Sequence, residues 1–195
     1  IYSSQGDTEH AIKNLRKAVE LKPDDQGLNS LLMLELSQSG DIDATIESWK
    51  LLLKINPNYA EGYLNLGNTL ADNGNLDETI DCYKKALKIK PDYADAHFNM
   101  GNALNDKGEL DAAIDSYKQA LKLNPDYAEA YYNMGNALKK QTKLEEAIEA
   151  YNKALIIKPD VAEVYNNMGN ALTRQDKLEE AIEAYNKALA IIPNY

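Results

Sequence analysis

The chain has 195 residues, 44% apolar and 27% charged, with Lys+Arg 21 against Asp+Glu 31 and a net charge of −10. That composition suits one folded domain or a short repeat array, excludes a disordered or collagen-like chain, and argues against a grip on nucleic-acid phosphates. A single cysteine, Cys82, excludes an internal disulfide and a multi-cysteine metal cluster; the two histidines, His10 and His97, leave little scope for imidazole catalysis; and no apolar run approaches the ~18 residues of a membrane helix.

The six prolines, Pro23, Pro57, Pro91, Pro125, Pro159 and Pro193, are spaced 34 residues apart, and a self-similar period of that length is the mark of a repeat array. Cutting two residues beyond each proline gives one array over 1–195: a partial unit 1–25 and full units 26–59, 60–93, 94–127, 128–161 and 162–195. Ile1 stands where an initiator Met would, so the expectation is an excised piece that starts partway along a first helix, any targeting segment lying upstream.

Unit 26–59 departs furthest from the others, with Asn29, Met33 and Leu52 where later units carry an aromatic residue, a glycine and a small residue, so its helix crossing is expected to be bulkier. Gly40, Gly74 and Gly108 interrupt the middle of their units, where a first helix must stop. The pairs Asn58/Glu61, Asp126/Glu129 and Asp160/Glu163 have capping-box spacing and predict where first helices begin. In unit 128–161, Tyr131, Met134, Gly135 and Leu138 follow one helical stripe, and Ala147, Ile148, Tyr151, Ala154 and Leu155 follow a second. Each unit is therefore two helices. Glu145/Glu146 and Glu179/Glu180 open the second helices, where the helix dipole favours negative charge. Glu149/Lys153 and Glu183/Lys187 are i, i+4 pairs of favourable orientation. One such unit cannot bury enough surface alone, so stability must be shared between neighbours.

The pattern Tyr131-x2-Met134-Gly135-x2-Leu138, then Ala147-x3-Tyr151, then Pro159, resembles the tetratricopeptide repeat (TPR) and covers the whole chain. Unit 162–195 repeats it with Tyr165, Met168, Gly169, Leu172, Ala181, Tyr185 and Pro193. The resemblance implies an all-α, right-handed superhelical solenoid of antiparallel helix pairs, first helices lining a concave surface and second helices a convex one. It also implies an interaction scaffold that binds peptide segments.

On the first helices, asparagines recur as Asn65, Asn99, Asn133 and Asn167 and again as Asn68, Asn102, Asn136 and Asn170. By the resemblance this stripe faces the groove, much as in the asparagine-lined superhelix of O-linked N-acetylglucosamine transferases. A side-chain amide offers donor and acceptor together, so a ladder of them can hold an extended backbone. Two roles stay open for these residues: ligand contact, or hydrogen bonding within and between units. Phe98 and Tyr132, with Leu64, add an apolar strip that takes side chains or is buried between units. Along the stripe the charge changes sign, from Asp72 and Asp106 to Lys139, Lys140 and Arg174, which places a basic part of the ligand toward the earlier units. Glu61, Asp95, Glu129 and Glu163 have the wrong charge for a terminal carboxylate, which disfavours a clamp for acidic tails.

No Gly-rich phosphate loop, HExxH helix or GxSxG elbow occurs. No catalytic residue, cofactor or metal is therefore expected. The expected function is a non-enzymatic scaffold holding a protein or peptide ligand, with no nucleic acid and no membrane insertion, in a soluble, cytoplasmic setting. The alternative is a substrate-recognition arm of a larger transferase, such as a glycosyltransferase, with its catalytic domain elsewhere. Ile191 and Ile192 leave an apolar ending, which makes self-association through exposed array ends a further expectation.

Overall fold

The computed structural model describes residues 4–22 and 25–193. Ile1 and Pro23, used above to frame the repeats, lie outside the described residues. Eleven helices follow one another among those described, with no strand: α1 (Ser4–Leu21), α2 (Gln26–Ser39), α3 (Ile42–Ile55), α4 (Ala60–Asp72), α5 (Leu76–Ile89), α6 (Ala94–Asp106), α7 (Leu110–Leu123), α8 (Ala128–Lys140), α9 (Leu144–Ile157), α10 (Ala162–Arg174) and α11 (Leu178–Ile191). The chain divides at Pro91 into two compact units, 1–91 with α1 to α5 and 92–195 with α6 to α11.

In the first unit the core joins Val19 of α1, Leu32 and Leu36 of α2, Ile46, Trp49, Leu52 and Leu53 of α3, Leu66 and Leu70 of α4 and Cys82 of α5. Arg16 ties α1 to α3, donating to Ser48 Oγ at 3.0 Å and to the Ala44 carbonyl at 3.1 Å. Helices α4 and α5 pack intimately, whereas α2 and α3 meet more sparsely. The difference has a steric cause. Gly67 lies under the Tyr83 ring, where an added Cβ would come within 2.5 Å of Cε1; the corresponding pair in α2 and α3 is Met33 and Trp49, and two large side chains hold the helices apart.

In the second unit the pairs α6/α7, α8/α9 and α10/α11 each form an antiparallel hairpin, joined by α7 against α8 and α9 against α10. Small residues make the close crossings possible: Ala113, Ala120, Ala130, Ala137 and Ala147 are all 0% exposed, and Tyr117 and Tyr151 fill the space between them. Burying one such ring contributes on the order of 1.5–3 kcal/mol. Gly101, Gly135 and Gly169 lie under Tyr117, Tyr151 and Tyr185 as Gly67 lies under Tyr83.

First helices end in a Schellman-type closure. Asn75, Glu109, Lys143 and Lys177 donate their backbone N–H to the carbonyls of Leu70, Leu104, Leu138 and Leu172 at 2.9–3.1 Å. The residue before each donor is left-handed: Gly74 at φ 77°, Gly108 at 85°, but Thr142 at 65° and Asp176 at 61°.

The capping boxes are corrected by the structure. The N-caps of α4, α8 and α10 are Tyr59, Tyr127 and Val161, one residue beyond Asn58, Asp126 and Asp160, and no side chain caps them. Asp126 accepts the Ala128 N–H through its backbone carbonyl instead, because the non-helical residue after it, Tyr127 at φ −85° and ψ 81°, carries the chain into the helix. Side-chain caps occur elsewhere: Asp25 accepts from Leu28 N at 3.1 Å and Asp41 from Ala44 N at 2.9 Å. Glu145/Glu146 and Glu179/Glu180 do occupy the first turns of α9 and α11.

Candidate functional site: the faces of the first helices

In the second unit, α6, α8 and α10 lie side by side, α8 touching both neighbours. Helical spacing puts Asn99 and Asn102, Asn133 and Asn136, and Asn167 and Asn170 on corresponding faces of the three helices. All are half-buried except Asn170, which is exposed. Hydrogen bonds link this face across repeats. Asn133 Nδ2 donates to Asn102 Oδ1 at 2.8 Å, and Asn167 Nδ2 donates to the Tyr132 hydroxyl at 2.8 Å.

The two asparagine columns differ. Asn68, Asn102, Asn136 and Asn170 each accept, through Oδ1, a hydrogen bond from the hydroxyl of Tyr83, Tyr117, Tyr151 or Tyr185 at 2.8–2.9 Å. A ring in a helix crossing needs a partner for its hydroxyl, and this column supplies one. Burial raises the Tyr83, Tyr117 and Tyr151 hydroxyls well above the usual phenol range, with Asp72 and Asp106 adding to the effect on the first two. In the other column, Asn133 and Asn167 contact side chains of the neighbouring first helix, Asn133 donating to Asn102 and Asn167 to the Tyr132 hydroxyl.

Basic residues converge at the C-terminal ends of α8 and α10. Lys139 Nζ donates to Asn167 Oδ1 at 2.7 Å, Lys140 Nζ to Asn105 Oδ1 at 3.0 Å, and Arg174 to the Lys139 carbonyl at 3.2 Å. Partial burial lowers the Lys139 pKa, and the nearby Arg174 charge lowers it further, against an opposing pull from Glu163. Lys140 and Arg174 are exposed, as is Asp106, which accepts from Asn105 Nδ2 at 3.3 Å.

The apolar strip is partly used inside the fold. Phe98 is half-buried, its ring 4.7 Å from that of Tyr127 and 6.1 Å from Tyr117. Tyr127 donates its hydroxyl to Asp95 Oδ1 at 3.3 Å; burial first, then the Asp95 carboxylate, push its pKa up to about 12. Tyr132 packs 6.1 Å from Tyr151, and burial, helped by Glu163, likewise raises it to about 12. Leu64 is buried.

In the first unit, Asn65, Asn68 and Asp72 of α4 line an open cavity of about 450 Å³, together with Asn29 of α2 and Trp49 of α3. The repeat pattern in the sequence pointed to the asparagines; the breadth of this cavity follows from the loose α2/α3 crossing, which no motif announces. A second cavity, about 400 Å³, opens between α3, α4 and α5 under the Lys50–Glu78 ion pair of 3.1 Å. Cys82 borders it, its thiol pushed up to about 11 by burial.

The tyrosine–asparagine bonds and the seating of Lys139 against Asn167 escaped sequence reasoning. The first has a legible trace, a 15-residue separation that recurs in every unit from 60–93 onward. The second has none. Among the described residues, no group of three or more His, Cys, Asp or Glu side chains is placed to hold a metal ion, and no helix is long and apolar enough to cross a membrane.

Comparison with known proteins agrees with this architecture. The chain is similar to a solved structure of MamA, at 34% identity over 81% of this chain and 92% of that one, with a TM-score of 0.79. A structure of YrrB, described as a TPR protein with an unusual peptide-binding site, shares the fold at 23% identity and a TM-score of 0.79, covering 93% of each chain. A 71-residue segment is 35% identical to the human protein O-mannosyl-transferase TMTC1, spanning 34% of this chain and only 8% of that protein. The TPR repeat model matches residues 34–74, 67–108 and 101–142, and tetratricopeptide repeat models match 126–194 and 1–25. With helix pairs recurring every 34 residues and family models running along nearly all of its length, the chain belongs to the tetratricopeptide repeat family.

Proposed function

We propose that this chain is a non-catalytic interaction scaffold, organised in the 34-residue units set out above, which captures an extended peptide on the faces of its first helices. One observation carries the reading: amides of successive repeats, Asn102 and Asn133, meet at 2.8 Å on a half-exposed face. Amides so aligned can exchange their mutual bonds for bonds to a peptide backbone at little net cost. Asn99, Asn133 and Asn167 are the proposed backbone contacts of the second unit, and Asn65 on α4 is one within the first. Asn102, Asn136 and Asn170 border the contacts of the second unit while holding tyrosine hydroxyls, and Asn68 holds that of Tyr83 within the first. Phe98 and Tyr132 supply apolar contact, Asp72 and Asp106 meet basic side chains, and Lys140 and Arg174 meet acidic ones. A protein partner in a soluble, cytoplasmic setting fits this surface; nucleic acid fits poorly because the chain is acidic.

Selection from a displayed library of random 12-residue peptides tests the reading. Peptides enriched on the wild-type protein should be lost on the Asn99→Ala/Asn133→Ala variant, which spares the bonds of Asn68, Asn102, Asn136 and Asn170 to Tyr83, Tyr117, Tyr151 and Tyr185 and that of Asn167 to Tyr132. Equal recovery of the same peptides on both would remove these faces as the binding surface.

The partial match to an O-mannosyl-transferase favours a second reading, a substrate-recognition arm whose catalytic domain lies in another part of the polypeptide. The complete sequence of that polypeptide distinguishes the two. Self-association is proposed through α11, whose Leu178, Ile182 and Leu189 are 45–60% exposed, whereas their counterparts Leu144, Ile148 and Leu155 lie on α9, which packs against α10.

A further inference from the structure

Between α8, the C-terminal end of α9 and the start of α10 lies a cavity of about 150 Å³, lined by Ala128, Tyr132, Ala154, Val161 and Val164, with Glu129 and Lys158 at its edge. The preceding repeat shows what fills the same place. One period earlier than Val161 is Tyr127, whose ring sits 4.7 Å from Phe98 and whose hydroxyl reaches Asp95 at 3.3 Å. Phe98 corresponds to Tyr132, Asp95 to Glu129, Ala120 to Ala154 and Ala130 to Val164. Ala154 and the Tyr132 ring thus keep the walls in kind, Val164 is larger than Ala130, and the ring of Tyr127 is cut back to Val161. What remains is a space that apolar side chains line and a carboxylate borders. A cavity of about that volume accommodates a six-membered aromatic ring. Its edge is solvent-facing: the Glu129 and Lys158 side chains are 51% and 54% exposed and paired with each other.

We propose that this cavity is a subsite for the phenol ring of a tyrosine side chain on the bound peptide. The ring lies over Tyr132 between Ala154 and Val164, and the hydroxyl donates to the Glu129 carboxylate, as Tyr127 donates to Asp95. Lys158, already paired with Glu129, keeps that carboxylate ionised and ready to accept. The inference rests on the peptide-capture reading for its biological ligand, but the subsite is tested without it.

The probe is p-cresol, the tyrosine side chain alone, titrated against methyl-labelled protein. Wild type should show saturable shifts of the Val164 and Ala154 methyl signals, half-complete at roughly 1 mM, an affinity well within reach of so small a ligand. Toluene, lacking the hydroxyl, should bind several-fold more weakly. Val161→Tyr restores the ring from within and should weaken p-cresol at least tenfold. Ala154→Leu fills the cavity from the α9 side with the residue that unit 26–59 carries as Leu52, and should do the same. Absence of saturable shifts in wild type, or p-cresol affinity unchanged from wild type in both filled variants, overturns the subsite. In the peptide library, sequences selected by wild type should share a tyrosine that those selected by Val161→Tyr lack; no such preference in wild type overturns the tyrosine assignment. Loss of selection in the asparagine variant reports on the amide face alone, so failure of one reading is separable from failure of the other.

Discussion

The Tyr117 hydroxyl donates to Asn102 Oδ1 at 2.8 Å, and it can do so because Gly101, the residue before that asparagine, leaves the ring room: a Cβ there would lie 2.6 Å from Tyr117 Cε1. Removing the acceptor strands a hydroxyl on a side chain that is 1% exposed. Asn102→Ala should therefore cost about 1–3 kcal/mol in urea unfolding, and much less in a Tyr117→Phe background. Equal costs in both backgrounds would show that the bond contributes nothing. Gly101→Ala should cost about 1–3 kcal/mol by overpacking.

Thr142 and Asp176 hold the left-handed position that Gly74 and Gly108 hold in the earlier repeats. A side chain in that conformation costs roughly 1–2 kcal/mol, offset in part by glycine's greater freedom when unfolded. Thr142→Gly and Asp176→Gly should each raise stability by up to about 1 kcal/mol. Gly108→Ala, with nothing within 4 Å of the added carbon, should lower it by strain alone. Thermal melts of the three variants check this.

Cys82 and the buried tyrosines make the fold sensitive to alkali. Their folded pKa values are raised by burial, that of Cys82 to about 11. The unfolded chain therefore releases these protons first, and stability falls as pH rises above the unfolded thiol value and then through 10, where unfolded phenols ionise. Denaturation midpoints should decline steadily from pH 8.5 to 11. A thiol reagent at pH 8 should label Cys82 about a hundredfold more slowly in the folded protein than in urea; equal rates would contradict its burial.

Asp72 and Asp106 are exposed on α4 and α6. Asp72→Lys and Asp106→Lys should each weaken selected peptides that carry a basic residue, and the loss should shrink as salt is raised. Unchanged affinity would remove charge reading at these positions.

Light scattering across a dilution series tests association through α11. Mass should fall toward one chain as the protein is diluted, and Ile182→Glu should hold it there at all concentrations. A wild-type protein that is monomeric throughout would end the proposal.

The amino-acid sequence by itself determined the helix pairs, their 34-residue spacing and the chemistry on the first helices, because helical periodicity and helix-stopping glycines are local properties of the chain. It misplaced the caps of the first helices by one residue, since Asn58, Asp126 and Asp160 carry a capping pattern that the following Tyr59, Tyr127 and Val161 pre-empt. Only the tertiary structure decided which amides serve the tyrosine hydroxyls: Asn99 and Asn102 read alike in one dimension, and the 15-residue step from Asn102 to Tyr117 matters only once two helices cross over Gly101. The cavity beside Val161 is of the same kind. A single truncated ring is unremarkable along the chain and becomes a space only when three helices close around it.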